Sequence, residues 1–180
     1  MFPLPLNVTG ITTDSMSFEN INLLCDVEIP VGLHVGAFGA ERKFDTHKGV
    51  DLYAPADTPV YAIEDGVVVN IAVFTGASIG MPWWNETKVV KVEGESGVLV
   101  YGEIKPIGGI KLNDEINEGD QLGIVLTVLQ NDKGRPMSML HFARHRHNVI
   151  GNGRWLVGDP QPSGLLDPTN LLIREWQKDA

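Results

Sequence analysis

Short apolar runs rich in Val and Ile, separated by Gly, Pro, Asn and Asp, set the rhythm of this chain. Runs of that length with β-branched residues predict strands, here over residues 60–63, 66–72, 87–92, 98–101 and 122–129. Asp65-Gly66 and Gly94-Glu95-Ser96-Gly97 fall between runs and are predicted to be hairpin turns. Connections this short leave no room for crossover helices, so the sheet is predicted to be antiparallel. Near the C-terminus the period changes. Asp167 can accept a bond from first-turn amides, Pro168 suits the first helical position, and Leu171, Leu172 and Trp176 share a face, which predicts a short closing helix. Residues 1–30 are weakly periodic and are expected to form an extension covering one edge of the sheet, with 31–180 as a single β domain. Residues 74–85, with Gly76, Gly80, Pro82, Trp83 and Trp84, read as a long loop that either presents a binding surface or folds onto the sheet.

Composition narrows the class. With 180 residues, 43% of them apolar, the chain supports one domain with a real core rather than two. Lys and Arg number 14 against 23 Asp and Glu, a formal charge of −9, and no basic block offers counter-charge to a run of phosphates. Nucleic acid is therefore not expected as a partner, and neither is an anionic lipid surface. The lone Cys25 cannot form an intramolecular disulfide, so the core or a metal must hold the fold. No stretch approaches the roughly 20 apolar residues of a transmembrane helix, so membrane insertion is not expected. The opening Met1-Phe2-Pro3-Leu4-Pro5-Leu6 lacks the charged start and longer apolar run of a secretory signal. The expectation is a chain that is cytoplasmic on synthesis, phage-encoded or exported by another route. Oligomeric state is left open, and no Gly-rich phosphate loop is present.

Chemistry concentrates around the histidines His34, His47, His141, His145 and His147. In Thr46-His47-Lys48-Gly49-Val50-Asp51 a straight strand would hold His47 and Asp51 roughly 13 Å apart, so a bend is needed to bring both to one ion, and Gly49 is the residue that could supply it. In Met139-Leu140-His141-Phe142-Ala143-Arg144-His145-Arg146-His147, strand alternation puts Met139, His141, Ala143, His145 and His147 on one face. Leu140 and Phe142 then belong to the apolar layer, and His141 points away from it into a cleft. Two imidazoles and a carboxylate would leave a fourth coordination position open, as catalytic zinc requires.

His47-Lys48-Gly49-Val50-Asp51-Leu52, followed by Ala54-Pro55-Ala56-Asp57-Thr58-Pro59-Val60-Tyr61-Ala62 and Asp65-Gly66-Val67-Val68, resembles the HxGxD segment and following strands of the lysostaphin-type (LytM-like) zinc endopeptidases. Tyr101-Gly102-Glu103-Ile104 is similar to that family's YGHL strand, and Glu118-Gly119-Asp120-Gln121-Leu122-Gly123 to its glycine hairpin. Met139-Leu140-His141-Phe142 is similar to its HLHF strand, and Leu166-Asp167-Pro168 to its closing segment. The resemblance spans about residues 36 to 173. It implies a mainly β fold, a compact antiparallel barrel-sandwich hybrid with a short C-terminal helix. It also implies one Zn2+ held by His47, Asp51 and His141, and cleavage of peptide bonds in bacterial cell-wall peptidoglycan.

The family's two accessory histidines fall on Glu103 and Met139. Met139 cannot move a proton, whereas Glu103 can act as the base, since a carboxylate beside the metal's water is an arrangement other zinc peptidases use. Glu103 is therefore expected to be catalytic. Substrate contacts are assigned to His145, Arg144 and Tyr101, with Arg144, His145, Arg146 and His147 together forming a cationic edge where an anionic peptide would enter. His34 is expected to be a surface or loop histidine. Asp45, two residues before His47, is the nearby carboxylate with the candidate role of orienting its ring. The competing reading is a catalytically inactive LytM-like domain that binds a cell-wall peptide or a protein partner. A biotinyl- or lipoyl-carrier reading of the paired hairpins ranks last, because no lysine occupies the required turn.

Overall fold

The computed structural model describes residues 5–12, 27–134, 136–151 and 153–178. In chain order the strands are β1 (Val8–Thr12), β2 (Val27–Pro30), β3 (Val50–Tyr53), β4 (Pro59–Tyr61), β5 (Gly66–Thr75), β6 (Thr87–Gly94), β7 (Gly97–Pro106), β8 (Glu115–Ile116), β9 (Gln121–Val125), β10 (Met139–His145) and β11 (Leu165–Leu166); one helix, α1 (Thr169–Lys178), follows. A nine-stranded sheet runs β11-β10-β7-β6-β5-β8, with β3 also on β10 and β9 bridging β7 and β4. Every pairing in it is antiparallel. The expected mainly β, antiparallel fold is what the chain adopts.

β7 lies at the centre, and its first eight residues are buried, as the near-continuous apolar run Val98-Leu99-Val100-Tyr101 demands of a strand covered on both faces. On one face Leu99, Tyr101, Val90, Val92, Leu140 and Phe142 enter the main core. The other face carries a smaller apolar group, Val89, Val100 and Ala143, with Phe74 against it. That second face bears the site. The hairpin at Gly94-Glu95-Ser96-Gly97 forms as expected, Gly94 pairing with Gly97.

Several details differ from the sequence reading. Asp65-Gly66 is not a hairpin turn: β4 pairs with β9 and β5 with β6, so the chain changes partner there, and the Asp65 carboxylate instead accepts the Glu118 amide at 2.7 Å. The run 122–129 stops as a strand at Val125, after which Thr127 and Leu129 make only isolated bridges to Ser138 and Trp84. The stretch read as a loop from residue 74 begins as the end of β5 and then makes a single 3-10 turn at Ala77–Ile79. β1 and β2 pair in parallel as a separate ribbon, and Leu6, Val8, Val27 and Ile29 belong to the main core. Cys25 lies outside the described residues. Asp167 caps α1 by accepting the Thr169 amide at 2.8 Å, and Leu171 and Leu172 are buried beneath the helix. Among the described residues no helix is long and apolar enough to cross a membrane.

Candidate metal centre

β3 and β10 run side by side with Asp51 directly opposite His141, so their side chains emerge on one face as cross-strand neighbours. His47 arrives from the segment before β3. Its amide donates to the Ala40 carbonyl and its own carbonyl accepts the Gly39 amide, both at 2.9 Å, while the Thr46 amide donates to the Trp155 carbonyl at 2.8 Å. Asp51 Oδ1 then lies 3.0 Å from His47 Nε2 and 3.0 Å from His141 Nδ1, and the two nitrogens are 3.2 Å apart. Among the described residues these three form the group whose ligand atoms converge in this way.

Those separations suit a metal. Ligand atoms about 2.0–2.1 Å from a tetrahedral zinc sit about 3.3 Å from one another. Hydrogen-bond logic points the same way. His47 Nδ1 sits 2.9 Å from the Ala37 carbonyl, which can only accept, so the ring proton belongs on Nδ1 and the Nε2 lone pair faces the lone pairs of Oδ1. Two facing lone pairs repel unless a proton or a cation lies between them. The Ala37 carbonyl thus orients His47; Asp45 does not, its own carbonyl being engaged with the Arg42 amide and its side chain exposed.

Gly49 acts through space rather than through a bend of unusual conformation. A Cβ there would lie 2.6 Å from the Phe142 carbonyl oxygen and 2.8 Å from His141 Nε2, so only glycine lets the His141 ring pass. Gly102, opposite His141 on β7, plays the matching part on the far side: its Cβ would meet the Phe74 ring at 2.7 Å. The His141 ring is consequently flanked by His47 at 5.1 Å and Phe74 at 5.3 Å between centroids.

Glu103 reaches the site because β7 bulges. Tyr101 pairs with Val90 and Ile104 with Lys88, so Gly102 and Glu103 together oppose Val89 alone. Glu103 has φ +64°, the left-handed position that such bulges normally give to glycine. Plain alternation would have sent its side chain toward the core with that of Tyr101. Its carboxyl is buried, and Oε2 is without a hydrogen-bond partner, as is the buried Nε of Arg42.

Arg42 is the functional residue the sequence reading missed. Its Nη2 donates to Asp51 Oδ2 at 2.7 Å, opposite the oxygen turned to the histidines. It stands nine positions before Asp51 in no recognisable spacing, so no local pattern marked it. Against the upward push of burial, His47 and His141, wherever a proton lies between them and Oδ1, and the Arg42 guanidinium hold the Asp51 carboxyl well below the ordinary range. Burial, reinforced by the Asp51 charge, pushes Glu103 well above it despite Arg42. Burial lowers His141, opposed by its bond to Asp51.

The remaining expected site residues lie elsewhere. Tyr101 is completely buried in the core, edge-on to Phe142, with its hydroxyl accepting the Ile63 amide at 3.2 Å, so it is out of a substrate's reach. Arg144 is on the opposite strand face and donates Nε to the Ser96 carbonyl at 2.7 Å. His145 shares the face of His141 but is buried rather than part of an open cationic edge, with Nδ1 on the Val149 carbonyl at 3.1 Å. His147 is exposed beside Glu93. His34 lies in a loop, one of the two placements expected, but it is buried rather than at the surface, and its Nδ1 accepts the Gly36 amide at 2.9 Å.

The family model for Peptidase family M23 matches residues 45–152, more than half of the chain. The chain belongs to that family. The catalytic domain of the antimicrobial peptidase lysostaphin from Staphylococcus simulans is similar in fold, with TM-score 0.50 and 18% identity, covering 90% of this chain and 99% of that one. LytU is similar too, with TM-score 0.52 and 18% identity over 84% of this chain and 88% of its own. No curated protein matches in sequence.

Proposed function

We propose that this protein is a zinc-dependent endopeptidase that hydrolyses peptide bonds of bacterial peptidoglycan, with Glu103 as its general base. The observation that carries the reading is the convergence of His47 Nε2, Asp51 Oδ1 and His141 Nδ1 within 3.0–3.2 Å of one another on a family M23 fold. Zinc bound by these three would supply Lewis-acid polarisation of the scissile carbonyl and a water acidic enough to lose its proton near neutral pH.

The chain's own groups supply the rest. His47 is fixed in orientation and tautomer by the Ala37 carbonyl, and His141 is wedged between Gly49 and Phe74, so both rings hold their donor atoms without reorganisation. Arg42 keeps Asp51 ionised and oriented. Glu103, buried and with a carboxylate oxygen otherwise unpartnered, takes the proton of the attacking water and returns it to the leaving amine. A carboxyl pushed upward by burial is the better proton acceptor for that task.

Met139 favours a second reading, a peptide-binding domain without hydrolysis, because a thioether stands where a proton carrier would otherwise help. Zinc analysis of the purified protein, combined with release of soluble fragments from cell walls by the wild type and Glu103→Gln, separates the two. A zinc-loaded wild type that solubilises walls, with Glu103→Gln slower by about 100-fold or more, is the expected result. Undiminished turnover in Glu103→Gln with zinc retained removes Glu103 from the mechanism; zinc without any lysis by the wild type leaves the binding domain.

A further inference from the structure

The sheet face that carries His141 continues through Ala143 to His145, and two lysines from other parts of the chain reach the same stretch. Lys91 of β6 is opposite Val100 of β7, which is opposite Ala143 of β10, so Lys91 stands in the row midway between His141 and His145. Lys48 directly follows the proposed ligand His47. All three side chains end on one loop: Lys91 Nζ donates to the Ile150 carbonyl, Lys48 Nζ to the Gly153 carbonyl at 3.3 Å, and His145 Nδ1 to the Val149 carbonyl at 3.1 Å.

Asp45 acts on Lys48 from beyond ion-pair distance, and among the described residues no carboxylate pairs with either lysine. Glu93, the acid in the row of His145, is turned to the Asn148 amide at 2.8 Å and to His147. Each ammonium has three donors and, among the described residues, spends one. Burial and the neighbouring Lys48 lower the Lys91 ammonium from its ordinary value. Burial, together with the charges of Lys91, Lys48 and His141, lowers His145 against the bond to Val149. The positive charges here repel one another, and an anion would relieve that repulsion.

We propose that Lys48 and Lys91, beside the buried His145, form a subsite for a free carboxylate on the peptide substrate. Ala143 lies two strand residues, about 7 Å, from His141, which places that carboxylate within about two residues of the scissile bond. The subsite makes the enzyme selective for peptides that carry an acid group beside the cleavage point. The identity of the ligand as a peptide rests on the peptidase reading; the anion site itself does not.

The test uses the full chain freed of metal, titrated with N-acetyl-alanyl-alanine and with its C-terminal amide while lysine, histidine and amide resonances are followed by NMR. The acid should perturb Lys48, Lys91 and His145 saturably and the amide should not. Lys48→Met with Lys91→Met should weaken the acid by about tenfold or more, whereas the corresponding double arginine variant should keep it. Equal perturbation by acid and amide, in the wild type alone, overturns the subsite and assigns the lysines to bracing the loop; so does a folded double-methionine variant that binds like the wild type. Zinc content and wall hydrolysis of the same preparation judge the peptidase reading separately: lysis without acid-selective binding sinks only the subsite, and acid-selective binding without lysis sinks only the peptidase.

Discussion

Arg42 and Asp51 meet at 2.7 Å through Nη2 and Oδ2, and this contact divides the labour of one carboxylate between its two oxygens. Oδ2 is committed to the guanidinium, which leaves Oδ1 as the atom facing both imidazoles. A buried aspartate that lost this partner would keep its desolvation cost and lose part of its compensation. Arg42 is thus a positioning residue that acts through Asp51. Arg42→Met is expected to weaken zinc binding by about 10–100-fold, the usual effect of removing a group that orients a ligand. Competition against a chromophoric chelator measures it. Arg42→Lys should recover only part of the loss, because an ammonium lacks the planar fork, and wild-type affinity in the methionine variant would exclude the role.

Glu103 combines two unfavourable features, a left-handed backbone and a buried carboxylate oxygen without a partner. A non-glycine residue in that conformation costs about 1–2 kcal/mol. Glu103→Gly should therefore raise the melting temperature of the metal-free protein by about 2–4 °C per kcal/mol recovered, while abolishing hydrolysis. Calorimetry of wild type and variant gives the answer, and a lower melting temperature in the glycine variant would show that the carboxyl side chain stabilises the fold.

The sequence made the fold legible because its Val- and Ile-rich runs, the Gly94 to Gly97 turn and the Asp167 cap are local signals, each readable within a few residues. His47, Asp51 and His141 were legible as a spacing, and the register of β3 on β10 brings them together. What stayed hidden depends on distant contacts. Arg42 becomes significant only when the chain folds back to put it on Asp51, and Phe74 only when β5 runs past residue 72 to lay its ring on His141. Tyr101 was misread because it neighbours a site residue in sequence while alternation turns it into the core. Glu103 is expected at the site through resemblance alone, because the left-handed position of the bulge that re-aims it is held by Glu103 itself and not by the neighbouring Gly102, so no glycine at that position announces the turn.

Gly49 offers a test of packing as the source of ligand geometry. In Gly49→Ala the new methyl would sit 2.6 Å from the Phe142 oxygen and 2.8 Å from His141 Nε2, so strand and ring must both shift. Overpacking of this kind costs about 1–3 kcal/mol. The variant should melt several degrees lower and bind zinc more weakly. A variant that loses stability but keeps wild-type zinc affinity would separate the packing from the centre.

The buried His145 makes a prediction about acid. Burial lowers its folded-state pKa below the ordinary 6.5, so between the folded and unfolded values the unfolded chain binds more protons. Stability is then undiminished above about pH 6.5, falls as pH drops through that value, and levels off once the folded-state imidazole is also protonated. His145→Asn keeps a donor for the Val149 carbonyl and removes the titration. In urea melts of the metal-free protein between pH 7 and pH 5 its stability should decline less steeply than that of the wild type. Parallel slopes would mean that His145 is already free to protonate in the folded state.

Metal removal probes the centre as a whole, because a cation that binds the folded chain and not the unfolded one stabilises by mass action. At about 100 times its dissociation constant zinc contributes about 2.7 kcal/mol, and a domain of this size gains about 2–4 °C per kcal/mol. Adding zinc to chelator-treated protein should raise the melting temperature by about 5–11 °C, and the chelator should reverse it. The cation would replace the repulsion between the His47 Nε2 and Asp51 Oδ1 lone pairs with attraction to both. His141→Ala removes one of the three donors and should abolish most of the zinc-dependent rise. A wild-type melting temperature that is indifferent to zinc would mean that the three side chains converge for packing alone.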